Sequence, residues 1–449
     1  MGDAAERVPL SLEQRDYLGL GRTGYGTIAA CSRVTGPLRI GALTDAVAEV
    51  ISRHEPLRMR LRYDDDDVTQ EFLSPPQVPA RWTELPLSGP AELDRYLVAD
   101  LDRARDGALR LMVLAESEER AFVVVLADHL ACDGWSSQIF LRELWQAYRS
   151  IAAGQAPQLP SLARTYSDFI RAQQALAARS RASRGYWEAM AGRFARSATG
   201  LARPHGSAEV GAGRADLKIV VPRDTVEQVR ELARVLGVSP NTLPLGSLVL
   251  AASSMAEADS IGISFAYAGR DLPGVQPLIG VFHRRVPLLV ERTGDGDLGQ
   301  FLTVLARTTF DAIRRSRAPY SAAEFDSAVG AGRAEPTVDV LYNQIPAVFG
   351  SPWRGESLPV HSQTVIDFPK VHFRPARWQS YREPRLRIVA GGGERPVLQM
   401  IFNTGLVDAD EARALADRMV AVLGAMSPDA AHCPVSSFVQ SAMEARHVP

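Results

Sequence analysis

The sequence predicts an α/β protein, because short apolar strand patterns alternate with helical patterns through both halves of the chain. The valine-rich run Phe122–Ala127 has the composition of a strand that is buried on both faces. From Ser136 onward apolar residues recur at helical spacing, which indicates a helix with Ser136 as its N-cap. The alternation restarts at a strand predicted for Leu217–Val221, after a stretch rich in Gly, Ala and Pro. We therefore expect two subdomains and a linker, at 1–199, 215–449 and 200–214 respectively.

Composition and charge disfavour several classes of protein. The 449 residues are 46% hydrophobic and 23% charged, which is ordinary for a globular chain with full cores. A net charge of −2 gives no basic surface of the kind that binds nucleic acid. No apolar run approaches the roughly 18 residues that a membrane helix needs, and the charged N-terminus does not resemble a signal peptide. The three cysteines form no spaced pair, which fits a reducing cytoplasm.

His129 is the most informative residue chemically, because it follows the predicted buried strand and precedes the helix. Ligands of α/β proteins tend to bind where strands end. An imidazole at such a position can take a proton from an amine or hydroxyl, since its ordinary pKa lies near neutral pH. The alternative is a buried structural histidine. A metal site is disfavoured, because one histidine and one aspartate are too few ligands.

Asp133 and Gly134 allow two interpretations each. Asp133 can orient His129, as carboxylates do in hydrolytic triads, or can be a buried anion that needs an arginine partner. Gly134 permits a close backbone approach before the helix, and its N–H can also donate to a developing oxyanion. We therefore keep His129, Asp133 and Gly134 as candidate catalytic residues.

The string HLACDGWS at 129–136 resembles the core motif of condensation domains of nonribosomal peptide synthetases. That family belongs with the chloramphenicol acetyltransferase-like acyltransferases. Its usual motif has two adjacent histidines, whereas here Asp128 replaces the first and His129 keeps the position that is taken as catalytic. The resemblance implies two acetyltransferase-like subdomains, each a mixed sheet flanked by helices, arranged as a V with the active site between them.

Other stretches resemble the same family and follow in the order that the family implies. The family commonly has Val-Asn-Thr after the Phe of its fifth motif, where this chain has His283, Arg284 and Arg285. Such a cationic cluster can recognise an acidic group. Alternatively, one arginine neutralises Asp133, and Arg270 competes with the cluster for that role. The most specific matching stretches are RHEPLR at 53–58, IGVFHRRVPL at 279–288 and IFNT at 401–404.

The resemblance also separates structural positions from those that face a substrate. His54 ends a predicted amphipathic helix and is interpreted as structural. The stretch 336–343 resembles the family's strand before its floor loop. We expect substrate contacts from Trp135, Ser136, Arg284, Tyr342 and Asn343.

The activity that the resemblance implies is acyl transfer. An acyl or aminoacyl group would pass from the phosphopantetheine thioester of an acyl or peptidyl carrier protein to a small-molecule amine or alcohol, in natural-product biosynthesis. His129 would position or deprotonate the acceptor, and Gly134 N–H would stabilise the oxyanion. We expect no covalent enzyme intermediate, because Cys132 is predicted to point away. No tightly bound cofactor or metal is expected, since the carrier supplies the phosphopantetheine.

The chain begins at Met and shows no carrier or adenylation module, so we expect a free-standing, monomeric, cytoplasmic enzyme that binds neither nucleic acid nor membrane. Two other functions stay open. One is a non-catalytic condensation-like domain that recruits a partner, and the other is a coenzyme A-dependent acyltransferase. Seven arginines but only one acidic residue occur from Arg171 to Arg203, which indicates either a solvated face or a docking patch for an acidic carrier protein.

Overall fold

The chain folds as an α/β protein, and the computed structural model describes most of it. Within the described residues there are fifteen strands and eleven α-helices. The described residues are 7–19, 27–64, 67–75, 82–86, 96, 107–177, 181–198, 214–291, 296–317, 322–332, 340–345, 358–361, 364–367, 386–391, 397–404 and 407–444.

The first part of the chain contains most of the predicted strand and helix patterns. Its elements are β1 (Arg7–Pro9), α1 (Leu12–Gly19), β2 (Thr27–Thr35), α2 (Ile40–Arg53), a 3₁₀ turn (Glu55–Arg58), β3 (Met59–Asp64), β4 (Asp67–Phe72), β5 (Trp82–Pro86), β6 (Leu109–Ser117), β7 (Arg120–Asp128), α3 (Gly134–Ala152), α4 (Tyr166–Ala177) and α5 (Arg181–Ala195).

The second part repeats the alternation of strands and helices. Its elements are β8 (Arg214–Val220), α6 (Arg223–Leu236), α7 (Thr242–Ala256), β9 (Ser260–Tyr267), β10 (Arg284–Glu291), α8 (Leu298–Ser316), α9 (Ala322–Gly332), β11 (Val340–Ile345), β12 (Leu358–His361), β13 (Thr364–Asp367), β14 (Leu386–Gly391), β15 (Val397–Asn403), α10 (Ala409–Ala425), a 3₁₀ turn (Asp429–His432) and α11 (Val435–Glu444).

Contacts divide the chain into two units whose limits differ from the predicted subdomains. Helix α5 belongs to unit 2, although the predicted boundary placed it in the first subdomain. The predicted linker lies outside the described residues except for position 214, where β8 begins. A stretch rich in Gly, Ala and Pro predicts a linker from local composition. Membership of a unit depends instead on long-range contacts, which composition does not record. Unit 1 comprises Met1–Ala178, Ala268–His283 and Ser351–Tyr381, and unit 2 comprises Arg179–Tyr267, Arg284–Gly350 and Arg382–Pro449.

Strand β7 lies inside the main sheet of unit 1, whose order is β12-β13-β2-β7-β6-β5. Antiparallel β2 and β6 flank it on its two sides. Because both faces of β7 are covered, residues 123–127 are all buried, as the sequence predicted, whereas Phe122 is half-buried. On one face, side chains of α2 and α3 such as Val47, Phe140 and Trp145 form a common core with the sheet. This packing fixes the end of β7 and the start of α3.

Unit 2 contains a mixed sheet with its own core. The strand order is β10-β9-β11-β14-β15-β8, with β11 parallel to both β9 and β14 and the other pairs antiparallel. Helix α7 is almost entirely buried, which explains its apolar sequence. The predicted fold class, a mixed sheet flanked by helices in each half, is thereby confirmed. Across the described residues, every helix lacks either the length or the apolar character that crossing a bilayer requires.

Candidate active site

The turn between β7 and α3 holds His129. Asp128 ends the strand, and its Oδ1 accepts a hydrogen bond from the N–H of Leu130 at 2.8 Å. Its carbonyl accepts a second hydrogen bond from the N–H of Ala131 at 2.9 Å. Aspartate side chains commonly stabilise turns through this kind of local bond. The residue that departs from the usual motif is therefore part of the structure that places His129.

Asp133 is the N-cap of α3, which corrects the prediction that Ser136 has this role. Its backbone is extended, and its Oδ1 accepts a hydrogen bond from the N–H of Ser136 at 2.8 Å. Gly134 is then the first helical residue and Ser136 the third, where a backbone N–H needs an acceptor outside the helix. Both residues are good caps by type, so the local sequence did not distinguish them.

The remaining contacts of Asp133 decide between its two interpretations. Its Oδ2 accepts a hydrogen bond from the N–H of Phe282 at 3.0 Å, and an Arg270 guanidinium nitrogen lies 3.2 Å from Oδ1. Both charged side chains are buried. With these donors and the N–H of Ser136 occupying its oxygens, Asp133 is a structural anion and not the carboxylate of a triad with His129. Of the arginines considered, Arg270 forms the ion pair.

The ionisation of Asp133 follows from these partners. Burial alone would raise the pKa of its carboxyl group. The charges of Arg270 and His283, together with the hydrogen bonds from Ser136, instead hold this pKa below its ordinary value. Asp133 therefore stays ionised at neutral pH and keeps its partners in place.

Ser136 connects α3 to the segment Ala268–His283 and is fully buried. Its hydroxyl donates to the Gly280 carbonyl at 2.8 Å and accepts from the Gly280 N–H at 3.0 Å. Arg270 donates to the same hydroxyl at 2.8 Å. Because three protein partners surround an unexposed hydroxyl, the structure gives Ser136 a structural role in place of the predicted substrate contact.

Arg270 organises its own segment as well as Asp133. Its guanidinium donates to the carbonyls of Val275 and Leu278 at 2.9 and 2.8 Å. It also lies over two aromatic rings, 4.1 Å from the centroid of Phe282 and 5.3 Å from that of Trp135. Trp135 is half-buried, so it packs on the arginine and still presents part of its surface.

His129 lies in a cluster with two residues that the sequence did not identify as a site. The Tyr17 hydroxyl oxygen is 3.3 Å from His129 Nε2 and 2.7 Å from His283 Nε2. The ring centroids are 4.6 Å apart for Tyr17 and His129, and 5.5 Å apart for His129 and His283. His129 is only 5% exposed, whereas the other two residues are half-buried. The three side chains form one polar group at the end of β7.

Helix α1 positions Tyr17 through a capping box at its first turn. Gln14 N–H donates to Ser11 Oγ at 3.1 Å, and Gln14 Oε1 accepts from Ser11 N–H at 2.9 Å. The side-chain amide of Gln14 also donates to the Leu130 carbonyl at 2.9 Å, next to His129. Tyr17 follows Gln14 by three residues and so lies on the same helix face. The sequence shows that Tyr17 shares this helix face with Gln14, but its contact with His129 is long-range, so the spacing alone did not identify it as part of the site.

His54 is structural, as predicted. Its Nε2 lies 2.8 Å from a Glu143 carboxylate oxygen, and its Nδ1 accepts a hydrogen bond from the Ile279 N–H at 3.3 Å. The acceptor role of Nδ1 assigns the proton of the neutral ring to Nε2. Burial lowers the pKa of His54, against the opposing effect of Glu143. This buried pair joins the end of α2 to the middle of α3 and to the segment at Ile279.

Cys132 and Gly134 lie on either side of Asp133 but differ in accessibility. The Cys132 thiol is buried in the core of unit 1, and burial followed by the charge of Asp133 raises its pKa well above the ordinary value. It therefore stays a protonated thiol that faces the core, as predicted. Gly134 is half-buried, and as the first residue of α3 its N–H has no acceptor within the helix.

The predicted substrate-contacting residues of unit 2 have other surroundings. Tyr342 lies on β11 in the core and is 2% exposed, which corrects its predicted contact with substrate. Burial raises the pKa of its phenol. Asn343 is the next residue of β11, but its side chain lies outside the described residues. Arg284 is half-buried and donates to the Ser316 carbonyl at the end of α8, a favourable place for a cation.

The predicted docking patch is only partly described. Arg171 pairs with Asp168 at 3.4 Å and Arg193 with Glu291 at 2.6 Å, all on exposed side chains. The side chains at 179, 181, 184 and 203 lie outside the described residues. In the part of the chain that is described, no group of three or more His, Cys, Asp or Glu side chains is placed to hold a metal ion.

The chain is similar to known sequences over most of its length. The sequence model of the family described as Condensation domain matches residues 21–341. The isonitrile lipopeptide synthase of Mycobacterium tuberculosis is 27% identical over 344 residues, which are 71% of this chain and 13% of that protein. The AMB antimetabolite synthetase AmbE of Pseudomonas aeruginosa is 27% identical over 447 residues, 92% of this chain and 19% of that protein. The chain thus spans less than a third of the length of either relative.

Solved structures share its fold. The X-domain from teicoplanin biosynthesis matches 97% of this chain and 98% of its own, with a TM-score of 0.74 and 20% identity. The first condensation domain of the CDA synthetase matches 96% of this chain and 98% of its own, with a TM-score of 0.76 and 17% identity. At these identities the likeness establishes the fold.

Proposed function

The chain belongs to the condensation-domain family of nonribosomal peptide synthetases, and we propose that it transfers an acyl or aminoacyl group from a carrier-bound phosphopantetheine thioester to an amine or alcohol. The observation that carries the proposal is the placement of His129. A hydrogen-bonded turn holds its imidazole between the end of β7 and the N-terminus of α3. A base and a helix N-terminus are the two features that acyl transfer needs close together.

The reaction follows from these two features. The acceptor nitrogen or oxygen attacks the thioester carbonyl carbon, and the imidazole of His129 receives the proton that the acceptor loses. Negative charge develops on the carbonyl oxygen, where the Gly134 N–H stabilises it. The carbon–sulfur bond then breaks and the proton passes to the thiolate. General-base catalysis typically contributes a factor of about 10² to 10⁴ in rate, and one oxyanion donor about 10² to 10³.

The donor is proposed to be a carrier protein, with phosphopantetheine arriving as part of it. Direct transfer requires no nucleophilic residue on the enzyme, in agreement with the buried, protonated Cys132. The experiment compares one acyl group on a carrier protein and on coenzyme A, each with a panel of amines and alcohols, and measures product by mass spectrometry. We expect product from the carrier-bound donor, product at least about a hundredfold more slowly from His129→Ala, and undiminished product from Cys132→Ser. Equal use of coenzyme A would instead indicate a carrier-independent acyltransferase.

A second candidate function is recruitment of a partner protein without catalysis. The observation that favours it is the burial of His129, whose Nε2 lies within reach of the Tyr17 hydroxyl. The teicoplanin X-domain, which shares the fold, has been solved in complex with OxyB. A recruiting domain would bind its partner equally well after His129→Ala and would yield no product with any donor.

A further inference from the structure

We propose that Tyr17 is a catalytic residue that relays the acceptor's proton to His129, with His283 positioning and polarising the Tyr17 hydroxyl. This role rests on the proposed acyl transfer, but it concerns residues outside the sequence motif. The motif alone gives a single imidazole as the base. The structure adds a phenol within hydrogen-bonding distance of that imidazole, and a second imidazole within hydrogen-bonding distance of the phenol.

The different burial of the three side chains supports a relay. His129 is 5% exposed, whereas Tyr17 and His283 are half-buried. The Tyr17 hydroxyl contacts His129 through Nε2. An acceptor therefore reaches the phenol more easily than the imidazole beneath it, and the proton needs a group that connects the two.

The hydrogen-bonding capacity of a phenol limits the possible arrangements. A hydroxyl has one hydrogen to donate and lone pairs that accept. When Tyr17 donates to His129 Nε2, the short 2.7 Å contact with His283 Nε2 is an N–H donated to the phenol oxygen. That donation stabilises negative charge on the oxygen and lowers the cost of losing its proton. In the proposed complex, the N–H or O–H of an acceptor donates to the phenol oxygen.

The step is balanced in atoms and charge. As the acceptor attacks the thioester carbonyl carbon, its proton moves to the Tyr17 oxygen while the Tyr17 proton moves to His129 Nε2. Tyr17 ends as a neutral phenol and His129 as an imidazolium. When the carbon–sulfur bond breaks, the reverse relay returns one proton to the thiolate sulfur. The enzyme is regenerated without an oxidant, a metal or another reactant.

Ring packing allows the hydroxyl to be removed with little other change. The Tyr17 ring lies 4.6 Å from the His129 ring and 5.4 Å from the His283 ring, centroid to centroid. Tyr17→Phe keeps these aromatic contacts and deletes only the oxygen. Tyr63→Phe is the matched control, because Tyr63 is 58% exposed and carries the same hydroxyl elsewhere in unit 1.

The test is single-turnover acyl transfer from an acyl carrier protein thioester, measured for wild type, Tyr17→Phe, His283→Phe, the double variant and Tyr63→Phe. We expect Tyr17→Phe to slow the chemical step about 10²-fold, with little change in the concentration that gives the half-maximal rate. Tyr63→Phe should have no effect on either quantity. The double variant should be no slower than Tyr17→Phe, because both changes act on one relay. The rate plotted against the D₂O fraction should curve for wild type, where two protons move, and be linear for Tyr17→Phe.

Different results separate the relay from the reaction itself. Undiminished turnover by Tyr17→Phe, alongside active wild type and strongly slowed His129→Ala, overturns the relay alone. Absence of product from wild type with every donor overturns the proposed function and the relay with it. Nitrogen NMR of the His129 ring gives a readout without turnover. An unchanged Nε2 chemical shift in Tyr17→Phe shows that the contact does not exist and also overturns the relay.

Discussion

Arg270→Met is the change that most severely tests how the site is held together. The arginine and its partner Asp133 have side chains only 3% and 2% exposed, so removing the guanidinium leaves a carboxylate buried without its counterion. Breaking one side of a buried pair typically costs about 3 to 5 kcal/mol. The two backbone N–H donors to Asp133, from Ser136 and Phe282, remain and favour the lower end of that range. Loss of the stacking on Phe282 adds up to about 2 kcal/mol.

The assay is urea denaturation followed by tryptophan fluorescence and far-UV circular dichroism. Arg171→Met is the matched control, because Arg171 is 53% exposed and pairs with a half-exposed Asp168. Its loss should cost less than about 1 kcal/mol. Adding Asp133→Asn to Arg270→Met should recover part of the stability, since the uncompensated charge disappears. Equal destabilisation by Arg270→Met and Arg171→Met would refute the interpretation of the buried pair.

Three further changes test other contacts of unit 1. Wild type should lose stability as pH falls below about 6.5. The unfolded chain takes up a proton at His54 more readily than the folded chain, because burial lowers the His54 pKa in the folded state. His54→Gln should flatten this pH dependence of the free energy of unfolding, measured by urea titration. Gly280→Ala should lower the melting temperature, with a cost of about 1 to 3 kcal/mol, because the added Cβ would lie 2.4 Å from the Tyr166 ring. Gly41→Ala is the control and should leave the melting temperature unchanged, because a Cβ there meets nothing within 4 Å. Asp133→Asn should also lower the melting temperature. In single-turnover assays, however, the folded Asp133→Asn protein should retain far more activity than His129→Ala. Equal losses of activity would instead support Asp133 as the carboxylate of a triad with His129.

The segment from β7 to α3 was predictable because its signals are local. A strand whose two faces both pack into a core has to be apolar on both faces, and α3 shows its apolar stripe directly in the sequence. The cap was misplaced by three residues, because Asp133 and Ser136 are both favourable caps. Only the direction of the Asp133 side chain, which accepts the Ser136 N–H, distinguishes them.

The polar contacts of the site depend on residues far apart in sequence. Asp133 is separated by 137 positions from Arg270, and Tyr17 by 112 from His129 and by 266 from His283. No periodicity records such pairings, so the alternatives for Asp133 stayed open and Tyr17 was missed.

Strand β11 shows a different limit of the sequence. Successive strand residues face opposite sides of a sheet, yet a substrate contact was predicted for both Tyr342 and Asn343. Burial of Tyr342 assigns it to the core of unit 2. The resemblance to a family identified the stretch but not which of the two side chains faces the core.

The most direct test of the proposed function is the single-turnover rate of acyl transfer from a carrier-bound thioester after His129→Ala. With the fold verified by circular dichroism, we predict at least a hundredfold loss of rate, since the acceptor's proton then has no base to receive it. Product formed at the wild-type rate by the folded variant would contradict the role of His129 as the base.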